Sequence, residues 1–419
     1  MHTAPFHLMS KPAGSACNLD CAYCFYLEKE KLYDRGTRFR MTDGTLDRFV
    51  RSYIESQPAD APVTFAWQGG EPTLMGLDFY RRAVALQQKH AAGRVIENAF
   101  QTNGTLLDDD WGAFLKENNF LVGVSIDGPR AIHDRHRVNK GGQPTFDAVM
   151  RGIEFLKKHR VEFNTLTCVT RESAQKPLEI YRFLRGIGST FLQFIPIVER
   201  RPDTRARDWS LTLAGPPQPK CHPLGDTSSG AEPSGDDPRV TPWSVRSGDF
   251  GRFLSAIFDR WVRHDVGRIH VQLFDVALGK WLGLPGGLCV HAETCGRALA
   301  VEHNGDVYSC DHYVYPDHRL GNLTTDSLPV LVDSDRQRAF GLAKRDTLPR
   351  QCRECPVLFA CNGGCPKQRF ARTTDGEPGL HYLCESYRAF FTRIDEPMRL
   401  MARLYRAGRA PAEVMGMLN

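Results

Sequence analysis

Short β-rich runs alternate with amphipathic stretches through the first half of the chain. The runs Val63–Trp67, Ile96–Thr102, Leu121–Ile126, Phe163–Val169 and Phe191–Ile195 are rich in β-branched and aromatic residues and end in turn residues. Between them, Leu77–His90, Asp109–Asn118 and Thr145–His159 repeat apolar positions at helical spacing. Repeated βα units of this kind predict an α/β fold on a parallel sheet. Parallel sheets carry their sites at the C-terminal ends of the strands. The tips to inspect are therefore Gln68-Gly69-Gly70-Glu71-Pro72, Thr102-Asn103-Gly104 and Ser125-Ile126-Asp127-Gly128-Pro129.

The pattern fails from Glu199 to Ser247, where Pro, Gly, Ser, Asp and Arg dominate and no apolar period persists. That composition predicts an inserted, mobile loop or linker. Helical spacing resumes at Phe250–Arg263, whose stripe of Phe250, Phe253, Leu254, Ile257, Phe258 and Trp261 reads as a core-facing helix.

Composition sharpens this picture at one point. The 419 residues are 41% hydrophobic and 25% charged, which is globular and ample for a large core. No window reaches the roughly 18 apolar residues of a spanning helix, and the N-terminus has no basic-then-apolar signal pattern. The expected location is the cytoplasm. Lys and Arg number 54 against 49 Asp and Glu, a net +5 that supports neither a nucleic acid nor a membrane as partner. The anomaly is 13 cysteines. An odd count in a large chain without a visible signal argues for metal or redox chemistry over a disulfide framework.

Three of them form Cys17-Asn-Leu-Asp-Cys21-Ala-Tyr-Cys24. Three thiolates on one loop can hold three irons of a four-iron cubane, leaving one iron open to a small molecule. A zinc site short of one ligand is the plainer alternative, and the loop offers no histidine to complete it. The triad, with an aromatic before its last cysteine, resembles the signature of the radical S-adenosylmethionine enzymes. Gly69-Gly70-Glu71-Pro72, about 50 residues on and directly after a strand, is similar to that family's GGEP element. The resemblance implies that Cys17, Cys21 and Cys24 ligate a [4Fe-4S] cluster. It also implies S-adenosylmethionine contacts at Tyr23, Gly69, Gly70, Glu71, Ser125, Arg137 and Leu192, although a packed core leucine explains Leu192 equally well.

Eight more cysteines lie between Cys289 and Cys384. Eight thiolates suffice for two four-iron clusters or two zincs, and their number alone does not choose. Their order, Cys295-x9-Gly305-x4-Cys310 followed by Cys352-x2-Cys355-x5-Cys361-x3-Cys365 and a distant Cys384, resembles the SPASM extension of radical enzymes that modify peptides. That resemblance implies two auxiliary [4Fe-4S] clusters, one on Cys289, Cys295, Cys310 and Cys365, the other on Cys352, Cys355, Cys361 and Cys384. The strings KPAGSACNLDCAYCFYLEK, FAWQGGEPTL, FQTNGTLL, VSIDGP and QCRECPVLFACNGGCPKQR are similar to anaerobic sulfatase-maturating enzymes, from about Leu8 to Arg393.

The implied fold is a partial (β/α)6 radical SAM barrel over 1–198, an inserted flexible segment at 199–247 and a helical connection at 248–288. A small cysteine-rich SPASM domain at 289–393 and a helical tail at 394–419 complete it. The implied reaction oxidises one Cys or Ser of an unfolded or nascent sulfatase, in a Cys/Ser-x-Pro/Ala-x-Arg motif, to Cα-formylglycine. A 5′-deoxyadenosyl radical takes hydrogen from Cβ, and flavodoxin or ferredoxin is the expected donor of electrons. Asp311, matching the family's Cys-Asp pair, is the expected base; without the resemblance it reads as a turn residue pairing with His312 or Arg319. Gln68 is the expected substrate contact, since an amide both donates and accepts. Cys168 reads as a small core residue, Cys221 as a spare thiol, and His291, His303, His312 and His381 as structural. The competing readings are another SPASM maturase acting on a small peptide, and a zinc-stabilised binding protein without catalysis.

Overall fold

The computed structural model describes residues 4–217 and 237–418; Cys221 and the centre of the 199–247 segment lie outside them. Strands β1 (His7–Lys11), β2 (Val63–Trp67), β3 (Ile96–Thr102), β4 (Phe120–Ser125), β5 (Phe163–Val169) and β6 (Phe191–Pro196) pair in sequence order, all parallel. Helices Asp43–Ser56, Leu77–His90, Asp109–Glu117, Phe146–Lys158 and Pro177–Gly186 connect them. This is the expected βα alternation, and it forms the partial barrel.

Two of these helices start where the sequence supplies a side-chain partner for the free N–H groups of the first turn. Thr42 accepts from Thr45 N at 3.1 Å, and Asp108 accepts from Trp111 N at 2.9 Å. The apolar faces then close on the sheet through aromatic rings. Phe49 and Tyr53 meet Phe65, and Phe79 and Tyr80 meet Trp67, at centroid separations of 5.2–6.2 Å. Such pairs add about 0.5–1.5 kcal/mol each beyond the area they bury. Trp67 satisfies its indole N–H on Asn98 Oδ1 at 2.8 Å, so the ring is buried without a polar penalty.

The sheet continues beyond the barrel on both sides. Strand β7 (His270–Val271) adds to β6, and β8 (Ala298–Glu302) pairs parallel with β1 from His7↔Ala298 to Lys11↔Glu302. Strands β9 (Asp306–Tyr308) and β10 (Arg319–Asn322) follow antiparallel, giving the order β10-β9-β8-β1-β2-β3-β4-β5-β6-β7. The cysteine-rich region therefore shares a continuous sheet with the barrel. The register brings Glu302 beside Lys11, and Cys310 follows β9 by two residues.

The described flanks of the 199–247 segment pack against the rest of the protein. Residues 204–208 form a helix, and Leu211, Leu213, Ala214, Val240 and Val245 are buried. Glu28 receives Thr212 N and Oγ1 at 2.5 and 2.6 Å, and Leu213 N at 3.2 Å. Glu199 and Lys367 form a buried pair at 2.9 Å that ties the segment to the C-terminal region. Removing one partner of a buried pair strands the other charge. Lys367→Met is expected to lower unfolding free energy by about 3–5 kcal/mol, measured by denaturant titration.

Candidate active site

The Cys17–Cys24 loop lies at the C-terminal ends of β1, β3 and β4. Asp20 N donates to Val138 O at 2.8 Å and Ala22 N to His136 O at 3.1 Å, so the loop is pinned by the segment after β4. Leu19 N at 3.3 Å and Asn103 Nδ2 at 3.8 Å both point at Cys17 Sγ. Donors aimed at sulfur favour thiolate and tune a bound cluster. Burial pushes the Cys17 and Cys21 thiols up to about 12 and raises Cys24 as well, so the three are neutral until a cation compensates them.

The glycine turn after β2 is moulded to this loop. Gly70 N donates to Gly14 O and Glu71 N to Ala16 O, both at 2.8 Å. A Cβ on Gly70 would stand 2.0 Å from Ala16 O, immediately before Cys17. Backbone cannot yield as a side-chain tip does. Gly70→Ala is expected to displace the loop and lower iron content per protein, measured after anaerobic reconstitution. The Glu71 side chain is fully occupied: Thr73 N and Oγ1, Thr102 Oγ1 and Asn103 N all donate to it, at 2.7–3.0 Å. Its carboxylate is thus a buckle between the turn and β3, leaving only turn backbone to face a ligand.

The other expected contacts fall into two groups. Tyr23 Oη donates to Asp127 Oδ2 at 2.5 Å, and Arg137 Nη2 donates to Asp127 Oδ1 at 3.1 Å, all buried. Burial opposes the Asp127 charge, but Arg137 and His133 outweigh it and hold the carboxyl below its usual range. Cys168 joins this network, receiving Arg137 Nη2 at 3.6 Å while its N–H donates to Asp127 at 3.0 Å. Ser125 Oγ receives Gln101 Nε2 at 3.1 Å, Gln68 Oε1 is buried with no partner among the described residues, and Leu192 packs in the main core. In the sequence Asp127 and Asn103 stand out only as polar residues at strand tips.

The eight C-terminal cysteines separate in space into two sets. Cys295 and Cys310 each lie in the field of Cys365 and Cys289. Cys352, Cys355, Cys361 and Cys384 line one cavity of about 110 Å³. The sets interleave along the chain because helix Leu358–Cys361 and the turn at Asn362-Gly363-Gly364, all at positive φ, return the backbone between them. All the described cysteines are free, and among the described residues no three His, Cys, Asp or Glu side chains converge on a single-ion site. A soft donor set of three, four and four thiols fits iron–sulfur cubanes.

Between the first set and the Cys17–Cys24 loop lies a buried charged cluster. Asp311 pairs with Lys11 of β1, in place of the expected His312 or Arg319, which instead pairs with Asp306. Lys11 sits 4.1 Å over the Tyr26 ring, whose hydroxyl donates to Glu302. Burial raises the Asp311 carboxyl, but Lys11, His312 and Lys367 prevail and keep it below the usual range. His312 Nδ1 is 3.8 Å from Cys365 Sγ; His291 reaches Cys361 O at 3.4 Å, His303 reaches Glu302 at 3.3 Å, and His381 receives Leu383 N at 3.0 Å.

Comparison with known proteins accords with this geometry. Residues 12–184 match the Radical SAM superfamily, and residues 289–356 match SPASM, an iron-sulfur cluster-binding domain. The chain is 45% identical over 415 residues to a serine-type anaerobic sulfatase-maturating enzyme of Bacteroides thetaiotaomicron, covering 99% of this chain and 95% of that one. It is 34% identical over 390 residues to a cysteine-type enzyme of Clostridium perfringens, covering 92% and 95%. The solved structure of native anSMEcpe with bound AdoMet and Cp18Cys peptide superimposes with a TM-score of 0.79 at 32% identity, over 96% of this chain and 99% of that one. The chain belongs to the anaerobic sulfatase-maturating enzymes, radical SAM proteins with a SPASM domain.

Proposed function

We propose that this protein oxidises a serine of a sulfatase polypeptide to Cα-formylglycine, with Asp311 taking the hydroxyl proton. The observation that carries the reading is the carboxylate of Asp311, partly exposed at 22%, which directly follows Cys310 and is paired to Lys11 at the end of the strand leading into the Cys17–Cys24 loop. Serine is favoured over cysteine because the relatives named serine-type are 45% and 37% identical, against 30–34% for the cysteine-type ones.

Cys17, Cys21 and Cys24 would hold the cluster that binds S-adenosylmethionine. Cys289, Cys295, Cys310 and Cys365 would hold one auxiliary cluster, and Cys352, Cys355, Cys361 and Cys384 the other. Loaded, these groups supply a 5′-deoxyadenosyl radical for hydrogen abstraction at Cβ and an acceptor for the electron released as the carbonyl forms. The protein's own residues do the rest. Asp311, held ionised by Lys11, is positioned to receive a proton; Lys11 is in turn fixed by the Tyr26 ring. Gln68, with its unpartnered oxygen, is the proposed hydrogen-bond contact to the substrate. The turn at Gly69, Gly70 and Glu71, with Tyr23, Ser125, Arg137 and Leu192, would frame the S-adenosylmethionine pocket.

No helix is long and apolar enough to cross a membrane. The reading places the reaction in the cytoplasm, where thiols stay reduced and a nascent sulfatase is still unfolded. Flavodoxin or ferredoxin would deliver electrons. The test is anaerobic incubation with S-adenosylmethionine, reductant and a Ser-x-Pro/Ala-x-Arg peptide. Formylglycine is the expected product, and 5′-deoxyadenosine without any peptide change would point to a different peptide maturase.

A further inference from the structure

Lys29 follows the Cys17–Cys24 loop by five residues, in the short helix Leu27–Leu32, and is 1% exposed. Its ammonium has no hydrogen-bond partner among the described residues. It lies 3.0 Å from the centroid of the Tyr315 ring, four residues beyond Asp311. The charges around it are Lys367, Glu28, Glu199 and Asp311. Each of the acids is already engaged: Glu28 with Thr212 and Leu213, Glu199 with Lys367, and Asp311 with Lys11. His312, from the element packed opposite, also faces Lys29 along with Lys11, Lys367 and Asp311.

A lysine ammonium has three donors and no acceptor. Left buried without an oxygen, it destabilises the fold by the cost of its lost hydration. Burial and Lys367 push its pKa well below the ordinary value, the direction expected of a cation waiting for a partner. The Tyr315 face stabilises the charge but leaves its N–H donors unused. Acids already outnumber lysines in the cluster, Glu28, Glu199, Glu302 and Asp311 against Lys11, Lys29 and Lys367. A neutral acceptor therefore fits better than another carboxylate, and a polypeptide offers one at every residue.

We infer that Lys29 anchors a main-chain carbonyl oxygen of the substrate polypeptide beside the residue being oxidised. The inference rests on the function proposed above, and it makes Lys29 a substrate-binding residue distinct from Asp311. Binding is read separately from turnover, so failure of one reading does not imply failure of the other.

The test compares wild-type holoenzyme with Lys29→Met, an unbranched apolar replacement. Peptide binding is measured by fluorescence anisotropy with a labelled Ser-x-Pro/Ala-x-Arg peptide and S-adenosylmethionine present. Iron content and the yield of 5′-deoxyadenosine should match wild type, and the thermal midpoint should rise because an unpaired buried charge is gone. Kd and KM for peptide should increase about ten- to hundred-fold, with kcat little changed. A wild-type Kd would overturn the inference. So would a fall in kcat at unchanged Kd and KM, which would make Lys29 a positioning residue acting through Asp311. If Lys29→Met does not fold, Lys29→Leu decides, because it too removes every donor: weakened binding supports the anchor and a wild-type Kd overturns it. Wild-type enzyme that binds peptide but forms no formylglycine would remove the function and leave the anchor to be judged on binding alone.

Discussion

Asp311→Asn holoenzyme is expected to cleave S-adenosylmethionine normally and to form formylglycine about 10²–10⁴-fold more slowly. The amide keeps the shape of the carboxylate but cannot accept a proton. Hydrogen abstraction at Cβ does not need Asp311, so 5′-deoxyadenosine should still appear while the peptide product does not. Lys11 loses its anionic partner in this variant and keeps only the Tyr26 face, so some loss of stability is expected as well. Rates are therefore compared per folded, fully iron-loaded protein. Product yield equal to wild type would remove Asp311 as the base.

Cys21→Ala should lose about four of roughly twelve irons and all S-adenosylmethionine cleavage, because three thiolates are the fewest that hold a cubane with one iron open. The two C-terminal sets should be unaffected. Cys384→Ala should also lose about four irons, from the other end of the molecule, and keep S-adenosylmethionine cleavage. The pair of variants separates the roles of the clusters by a stoichiometry and an activity read on the same samples. Retention of all the iron in Cys21→Ala would contradict the assignment, as would loss of cleavage in Cys384→Ala with its N-terminal cluster intact.

The barrel strands β2 to β6 were legible because each is a β-rich run closed by turn residues, with amphipathic helical stretches between them. Strand β1 was not among the expected strands, and its composition explains why. Its buried positions include Ser10 and Lys11, so the apolar alternation that marks a strand is missing. Strand β8 is buried along nearly its whole length and also shows no alternation. The packing of the described flanks of 199–247 is hidden in the sequence for a related reason. Leu211, Leu213, Val240 and Val245 are buried at spacings that follow neither a helix nor a strand, among residues whose composition signals a loop.

The site divides in the same way. Cysteine spacing carried the thiol sets, because spacing is a local property. The polar ties did not show in the sequence. Tyr26 and Glu302 are 276 residues apart, Lys367 and Glu199 are 168 apart, and Asp311 meets Lys11 only through the β1–β8 register. Nothing local in the sequence distinguishes such residues from solvated charges. Lys29 reads as one more lysine in Leu-Glu-Lys-Glu-Lys until the fold buries it.

The central claim is that the Lys11-paired carboxylate beside Cys310 serves oxidation of a polypeptide serine. The most direct measurement is mass spectrometry of a Ser-x-Pro/Ala-x-Arg peptide after anaerobic reaction with wild-type holoenzyme, reductant and S-adenosylmethionine, with the serine Cβ deuterated. The account predicts loss of two hydrogen atoms from the serine, with one deuterium appearing in 5′-deoxyadenosine. An unchanged peptide, with 5′-deoxyadenosine free of deuterium, would contradict it.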